Sequence, residues 1–271
     1  MSIDLPPLRV GHRARLVRGA LAETGCEALL VTGLPNVRWL TGFTGSAGRV
    51  LVLPDRMMLV TDGRYGDQAR AQLLAAAADA DVVVGANILT QNEVLATATS
   101  GVAKLGLEAA HVTWADLATY QVAFSPGLVA TTGLVERHRV LKDAAEVARI
   151  EAAADIADAA LANVAPLLDA ELLETEFALA LDTEMRRLGA SGPSFETIVA
   201  SGPNAALPHH RPSERRIIAG DSVVIDFGAL VDGYHSDMTR TALVGDVDDR
   251  LREIYEVVVA AQAAGVAAVR P

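Results

Sequence analysis

The sequence predicts two consecutive domains, an α/β domain over residues 8–135 and an α+β domain over residues 143–271. In the first half, helix-like and strand-like segments alternate, which is typical of a sheet with helices packed on it. In the second half, two long helical patterns are followed by three strand patterns and a last helix, an order typical of an α+β domain. The 271 residues are enough for two domains of ordinary size.

The composition is that of a folded globular protein, with 51% hydrophobic and 21% charged residues. The formal net charge is −11 and pairs such as Arg215-Arg216 are too short to form a basic patch, so we expect no nucleic-acid partner. The single cysteine, Cys26, allows no internal disulfide, which fits a reducing compartment. Because we find neither a secretory signal pattern nor an apolar tract long enough to span a bilayer, we expect a cytoplasmic location and no membrane partner.

The elements of the first domain follow from hydrophobic periodicity and from turn residues. Helices are predicted at residues 12–21, 67–77, 90–99 and 114–122. Strands are predicted at residues 28–31, 81–84 and 104–107, and a β-hairpin at residues 50–60 around Pro54-Asp55-Arg56. These elements predict a sheet with helices packed on it.

The second domain is predicted to begin with a helix that has Asp143 as its N-cap. Apolar residues recur every three or four positions along this helix and predict one buried stripe, formed by Val147, Ile150, Ala154, Ala157, Leu161 and Val164. A second helix is predicted over residues 175–188, ending at Gly189, and strands at residues 195–200, 222–230 and 234–244. The last helix begins near Asp248 or Asp249 and is predicted to lie in the core.

Two aspartates in the predicted strands are the most informative residues of the chain. Asp226 follows three apolar β-forming residues, so it lies in a strand that we expect to be buried, and Asp237 lies in the next strand. The turn between the strands contains Asp232-Gly233, a strong hairpin signal. A two-residue loop at Val231-Asp232 or at Asp232-Gly233 puts both carboxylates on one face, whereas a three-residue loop without a bulge separates them.

Two ionised carboxylates in one buried pocket repel each other unless a shared proton, a basic partner or a divalent cation stabilises them. Oxygen ligands of this kind suit cations such as Mn²⁺, Mg²⁺, Zn²⁺ or Co²⁺. The alternative is that one aspartate pairs with Arg240 and the other caps a turn. Spacing alone leaves these two interpretations open.

The residues around the aspartates resemble those of a known family. VIDFGA at residues 224–229 and GYHSDMTRT at residues 233–241 resemble the metal-binding core of the pita-bread metallopeptidases. This family includes Xaa-Pro dipeptidase (prolidase), aminopeptidase P and methionine aminopeptidase. The upstream residues 194–206, Pro208-His209 and Gly220-Asp221 match the same family in the same order.

The first half of the chain narrows the resemblance to one branch. NVRWLTGFTGS at residues 36–46 and TDGRY at residues 61–65 resemble the creatinase-type N-terminal domain. Prolidase, aminopeptidase P and creatinase have this domain, whereas methionine aminopeptidases lack it. The resemblance therefore implies a hydrolase of the prolidase/aminopeptidase P type that cleaves X-Pro peptide bonds.

The resemblance also implies roles for three residues. Asp226 would be a terminal ligand and Asp237 a bridging ligand of two divalent metal ions, most simply manganese, with cobalt or zinc as alternatives. His209 would be the catalytic histidine that steadies the tetrahedral intermediate, since its distance from Asp226 matches the family pattern and that of its neighbour His210 does not. The implied partners are proline-containing peptides, together with a second copy of the chain in a possible homodimer.

The sequence departs from the family pattern after Asp237. The family uses five metal ligands, and the last three are a histidine and two glutamates. Here no histidine follows Asp237, and the glutamates that do follow, Glu253 and Glu256, lie on the last predicted helix. We therefore expect a C-terminally truncated member with an incomplete pita-bread domain, inactive on its own and with an exposed apolar sheet face.

Two other functions remain as alternatives. A non-catalytic pita-bread module could bind peptides or proteins, but it would have no electrostatic reason to keep an unpaired pair of carboxylates. A metal-free, creatinase-like hydrolase on the same fold would not keep the two aspartates, so we rank it last.

Overall fold

The computed structural model describes residues 3–270. The chain divides into two compact units, one formed by residues 6–145 and one by residues 146–270 together with residues 3–5. Within the described range, none of the helices has the length and apolar character needed to cross a bilayer.

The first unit is built on a six-stranded sheet with the strand order β4-β3-β2-β1-β5-β6. The strands are β1 (Ala28–Val31), β2 (Gly48–Val52), β3 (Met57–Thr61), β4 (Asp81–Val84), β5 (Lys104–Glu108) and β6 (Gly127–Thr131). The helices are α1 (Arg13–Leu21), α2 (Leu34–Thr41), α3 (Gly66–Ala75), α4 (Ile88–Ala98), α5 (Trp114–Ala123) and α6 (Glu136–Arg139). The β1–β2–β3 neighbours are antiparallel, and the other neighbours in the sheet are parallel.

Both faces of this sheet are covered. Leu29 and Val31 of β1 belong to one apolar cluster, whereas Ala28 and Leu30 belong to a second. Since successive residues of a strand point to opposite faces, the two clusters lie on the two sides of the sheet. The α/β class predicted for this half is confirmed. The prediction did not include α2, β6 or the short helix α6.

The second unit consists of helices and two small antiparallel sheets. Its helices are α7 (Ala144–Val164), α8 (Glu174–Leu188) and α9 (Asp249–Ala268). One sheet has the order β11-β10-β7 and the other the order β12-β9-β8. The strands are β7 (Gly192–Pro193), β8 (Ile198–Ser201), β9 (Ser222–Phe227), β10 (Ala229–Val231), β11 (Tyr234–His235) and β12 (Met238–Leu243). The α+β class predicted for this half is confirmed.

Helix α7 buries a face that only partly coincides with the predicted stripe: Ala157 and Val164 are buried as predicted, and most of the other buried residues lie one position earlier. Val147 is 41% exposed, whereas Arg149 is 5% exposed. The buried residues of α7 are Glu146, Arg149, Ala153, Ile156, Ala157, Ala160 and Val164. Two buried polar residues have partners in the hairpin turn: Arg149 Nε donates to Asp232 Oδ2 at 2.6 Å, and Tyr234 Oη donates to Glu146 Oε1 at 3.0 Å. Because partnered polar groups can be buried, the apolar spacing alone placed part of the stripe incorrectly.

Helix α9 is also placed differently from the prediction. Asp248 caps its first turn by accepting a hydrogen bond from the Leu251 amide at 2.7 Å, as the predicted start of this helix requires. The helix was expected in the core, but none of its residues is buried, and Ile254 and Val257 are 53% and 69% exposed. Its apolar residues therefore remain largely solvent-exposed in this chain.

Candidate metal and catalytic site

The two predicted metal ligands lie on one β-hairpin that is broken in its middle. Leu230 pairs with His235 and Val231 with Tyr234, so the loop is the two residues Asp232-Gly233, one of the two predicted loops. Both loop residues have positive φ, 43° and 72°, a conformation that favours glycine at the second position. The pairing continues from Phe227–Met238 onward, which leaves residue 228 and residues 236–237 outside the ladder.

Gly228 makes this break possible. A Cβ atom at this position would overlap the carbonyl oxygen of Ser236, so the two chains approach too closely for any side chain. The Ser236 hydroxyl accepts a hydrogen bond from the Ala229 amide at 2.9 Å and donates to the Ala153 carbonyl of α7 at 3.0 Å. The break therefore transfers the hairpin from one small sheet to the other, and Asp237 follows directly after it.

Asp226 lies on the less buried face of β9. Val223, Ile225 and Phe227 are buried in the core, whereas the alternate residues of the strand are half-buried. Across the strand pair, the hydroxyl of Thr239 donates to Asp226 Oδ1 at 2.9 Å. One carboxylate oxygen of Asp226 thus has a neutral hydrogen-bond donor, and the half-buried position leaves the group accessible.

Asp237 is exposed and lies in the irregular residues between β11 and β12. The prediction that both aspartates lie within buried, regular strands is therefore wrong, because the break at Gly228 takes Asp237 out of the ladder. Within residues 3–270, Asp237 has no hydrogen-bond or ion-pair partner. Arg240, the alternative cationic partner considered for these aspartates, instead lies 3.5 Å from Asp158.

The segment after β8 carries the two histidines and separates their environments. His209 is exposed and, in the described part of the chain, has no hydrogen-bond or ion-pair partner. Its neighbour His210 has a side chain only 11% exposed and donates from Nε2 to Glu174 Oε2 at 2.8 Å. The accessible histidine is thus the one that the family pattern selects.

Glu174, at the first position of α8, was missed by the sequence analysis. Burial raises the pKa of its carboxyl, but hydrogen bonds from Ser213, His210, Ser201 and Asn204 outweigh burial and lower the pKa to about 2. The donors lie 27 to 39 residues away in sequence, so no local pattern connects them to this glutamate. One signal in the sequence could have drawn attention to Glu174: it is an acidic residue at the start of a predicted helix, and Ser, Asn and His residues cluster downstream.

A groove of about 620 Å³ runs over the face that carries Asp226. Thr239, the cross-strand partner of Asp226, lines it, and so does Ala205 from the histidine-bearing segment. Other lining residues come from β9, β12 and α9: Ser222, Val224, Thr241, Leu243, Leu251, Ile254, Tyr255 and Val258. The groove is open, and Asp226, Asp237 and His209 are not among the described residues that line it.

The donor set fits divalent cations. Asp226 and Asp237 are carboxylates, the oxygen ligands that Mn²⁺ and similar cations accept, and neither is consumed by a basic side chain in the described structure. Thr239 is a neutral donor to one oxygen of Asp226. Both groups are therefore able to coordinate a cation.

A separate group of possible ligands lies in the first unit. Glu108, His111 and Glu136 have ligand atoms within 4.8 Å of one another. Glu108 Oε2 already accepts the amides of Thr32 and Gly33, at 2.6 and 2.8 Å, and its Oε1 accepts Asn36 Nδ2 at 2.7 Å. These hydrogen bonds account for the buried charge of Glu108 without a cation.

Comparison with known proteins gives two matches that together cover most of the chain. Metallopeptidase family M24 matches residues 148–271, and the Creatinase/Prolidase N-terminal domain matches residues 13–141. YqhT, an uncharacterized peptidase of Bacillus subtilis, is 38% identical over 256 residues, which are 94% of this chain and 71% of that protein. The Xaa-Pro dipeptidase of Pyrococcus furiosus is 44% identical over 133 residues, 49% of this chain and 38% of that protein.

Solved structures give the same result. An Xaa-Pro dipeptidase from Bacillus anthracis aligns with a TM-score of 0.91 and 36% identity, over 96% of this chain and 72% of that one. The prolidase from Pyrococcus horikoshii aligns with a TM-score of 0.87 and 27% identity, over 96% of this chain and 73% of that one. The similarity therefore extends over both units.

Proposed function

Because the chain belongs to metallopeptidase family M24, we propose that it belongs to a metal-dependent peptidase that hydrolyses the peptide bond before proline. The observation that carries this proposal is the open face of β9, where Asp226 is accessible beside a groove of about 620 Å³. The names of similar proteins, Xaa-Pro dipeptidase and prolidase, support X-Pro peptides as the substrate class.

In this proposal, Asp226 and Asp237 hold two divalent ions, with manganese first and cobalt or zinc as alternatives. Such ions, when bound, polarise the scissile carbonyl and lower the pKa of water. His209 would donate a hydrogen bond to the carbonyl oxygen as negative charge develops there, and its exposed, unpartnered side chain supports this role. Thr239 would hold the Asp226 carboxylate in place through its hydroxyl.

We further propose that residues 1–271 alone do not turn over substrate. The family pattern uses a further histidine and two glutamates as ligands, and no histidine follows Asp237 in this sequence. Glu253 and Glu256 are exposed on α9, the helix that caps the groove from one side. Two carboxylates should bind a metal pair weakly, because each missing anionic ligand removes attraction for the cation.

The domains would be residues 8–135 and 143–271, the location cytoplasmic, and a second copy of the chain a possible partner. The buried thiol of Cys26 is compatible with a reducing compartment.

Activity of a longer chain tests the proposal. The 271 residues are joined to the carboxyl-terminal part of the Bacillus subtilis relative, and cleavage of X-Pro dipeptides and longer X-Pro peptides is measured with Mn²⁺. Matched X-Ala peptides serve as the substrate control. We expect cleavage of X-Pro by the extended chain, none by residues 1–271, and none by the extended chain carrying Asp237→Asn.

An extended chain that unfolds cooperatively and binds Mn²⁺, yet cleaves no X-Pro peptide, would contradict the proposed activity. If that chain bound X-Pro peptides without cleaving them, the result would favour the non-catalytic binding module instead. Equal cleavage of X-Pro and X-Ala peptides would keep the peptidase and remove the proline specificity.

A further inference from the structure

We propose that Glu174 is a positioning residue: its buried carboxylate fixes the segment 202–213 and thereby restricts the position of His209. The consequence for catalysis rests on the proposed function, but the fixing of the segment does not. Glu174 itself is fully buried, so it touches no substrate.

The carboxylate of Glu174 receives donors from both ends of this segment. At the entry, Ser201 donates from its amide and its hydroxyl to Oε1, both at 2.7 Å. At the exit, Ser213 donates from its amide and its hydroxyl to Oε2, at 3.0 and 2.6 Å. Asn204 Nδ2 donates to Oε1 at 3.0 Å, and His210 Nε2 donates to Oε2 at 2.8 Å. The Glu174 side chain therefore holds the two ends of the segment 202–213 close together.

The backbone around Glu174 reinforces this closure. The Glu174 amide donates to the Arg215 carbonyl at 3.0 Å, and the Thr175 amide donates to the Ser213 carbonyl at 3.2 Å. The start of α8 is thus attached to the exit of the segment by main chain as well as by the carboxylate. Because the helix itself packs in the core through Phe177 and Leu181, the segment is anchored to a rigid element.

Charge explains why a carboxylate is needed here. A fully buried carboxylate is stable only when donors satisfy it, and the six hydrogen bonds do so. Arg215 Nη1 donates to the hydroxyl of Ser201 at 2.6 Å, so a cation lies one hydroxyl away. Arg215 is in turn paired with Asp221, with Nη1–Oδ2 and Nη2–Oδ1 distances of 2.6 and 2.9 Å. A neutral amide at position 174 would accept at one atom only.

The arrangement gives the adjacent histidines different tasks. His210 is directed to Glu174, and His209, the next residue along the chain, is exposed. Fixing His210 limits the positions that His209 can reach, because one peptide unit joins them. His210 therefore anchors the segment to Glu174, and His209 keeps its side chain accessible to solvent.

Hydrogen exchange on the 271-residue chain tests the fixing of the segment. We compare the wild type with Glu174→Gln and with the control Glu176→Gln. The control removes a carboxylate from the same first turn of α8 that, within the described residues, accepts a hydrogen bond from the Leu173 amide alone. For Glu174→Gln we expect amide exchange in residues 202–213 to rise at least about tenfold more than in α7, with the first unit unchanged. For Glu176→Gln we expect no change in that segment.

Unchanged exchange in residues 202–213 of Glu174→Gln would overturn the proposal, and so would an equal rise throughout the second unit. Ser213→Ala is a second variant, in case Glu174→Gln fails to fold. It removes one hydroxyl donor and leaves the Glu174 carboxylate in place. It should raise exchange in the same segment by a smaller factor, and no rise there would also count against the proposal.

A kinetic cycle tests the consequence for His209 in the extended chain described above. Glu174→Gln and His209→Ala should each lower kcat by at least about tenfold with KM nearly unchanged, because both remove an interaction made in the transition state. The double variant should be no slower than His209→Ala, which a purely structural role of Glu174 would not produce. Additive losses would overturn the link to His209. If the extended chain is inactive, the proposed function fails and hydrogen exchange alone decides the role of Glu174.

Discussion

The sheet of the first unit and the β12-β9-β8 sheet of the second unit differ in how far their two faces are buried. In the first unit, every residue of β1 and β3 is buried. In β9 the pattern alternates between buried and half-buried residues, and β12 has no buried residue. Among the described residues, the first sheet has an apolar cluster on each side, whereas the second has one on the side of Phe227 alone.

This difference separates a scaffold from a surface able to hold a site. A carboxylate on a strand covered on both sides would need partners to offset the loss of hydration. On β9, Asp226 is half-buried on a face that is open to the groove, and within residues 3–270 it has no basic partner. An uncovered face therefore allows the acidic residues to be present and accessible.

The largest expected effect contrasts one leucine from each sheet. Leu59→Ala in β3 removes a fully buried side chain and should lower the unfolding free energy of the first unit by about 3–4 kcal/mol. Leu243→Ala in β12 removes a half-buried side chain and should lower that of the second unit by about 1 kcal/mol. Native-state hydrogen exchange, read separately from β3 and β12, gives both values. Equal losses would show that the two sheets do not differ in this way.

The next largest expected effect is the pH-dependent contribution of Glu174 to the unfolding free energy of the second unit. Its pKa is about 2 in the folded chain and 4.5 without these contacts, so its stabilisation is present above pH 4.5 and is lost as the pH falls toward 2. The whole contribution is about 3 kcal/mol, of which about 2 kcal/mol is lost by pH 3.

Urea unfolding of the wild type and of Glu174→Gln at pH 7, 5 and 3 measures this contribution. The difference in unfolding free energy between the wild type and the variant should be nearly constant from pH 7 to pH 5. At pH 3 this difference should be smaller by about 2 kcal/mol. A difference that stays constant down to pH 3 would mean that the carboxylate is not stabilised in its ionised form.

Gly228→Ala is expected to have a smaller effect, confined to the break in the hairpin. The added methyl group would overlap the Ser236 carbonyl, so the two chains must separate, at a cost of about 2 kcal/mol to the second unit. Gly19→Ala is the control, since nothing lies within 4 Å of its added Cβ in α1, and it should be neutral or stabilising by about 0.5–1 kcal/mol. Thermal unfolding checks both. A neutral Gly228→Ala would show that the break tolerates a side chain.

Much of the fold could be predicted, because its signals are local. Four consecutive apolar residues set β1, Gly189 with φ of 118° ends α8, and Asp248 begins α9. The hairpin loop was limited to two possibilities by Asp232-Gly233, and the structure contains one of them. Local chemistry determines where such elements begin and end.

The errors came from contacts between distant residues. The break that exposes Asp237 depends on Ser236 reaching the Ala153 carbonyl of α7. The buried face of α7 depends on Arg149 finding Asp232, and the anchoring of the His209 segment depends on Glu174. The residues of each pair are far apart in the sequence and no repeating spacing connects them. Neither hydrophobic spacing nor turn residues could therefore reveal these contacts.

Manganese binding to the 271-residue chain tests the central proposal, that Asp226 and Asp237 hold divalent cations. Titration followed by electron paramagnetic resonance is compared for the wild type, for Asp226→Asn with Asp237→Asn, and for the control Asp246→Asn with Glu253→Gln, which removes two exposed carboxylates of the same unit. We predict a Kd on the order of 1 mM for the wild type and the control, and at least about tenfold weaker binding for the aspartate pair. Equal binding by all three chains would contradict the proposal.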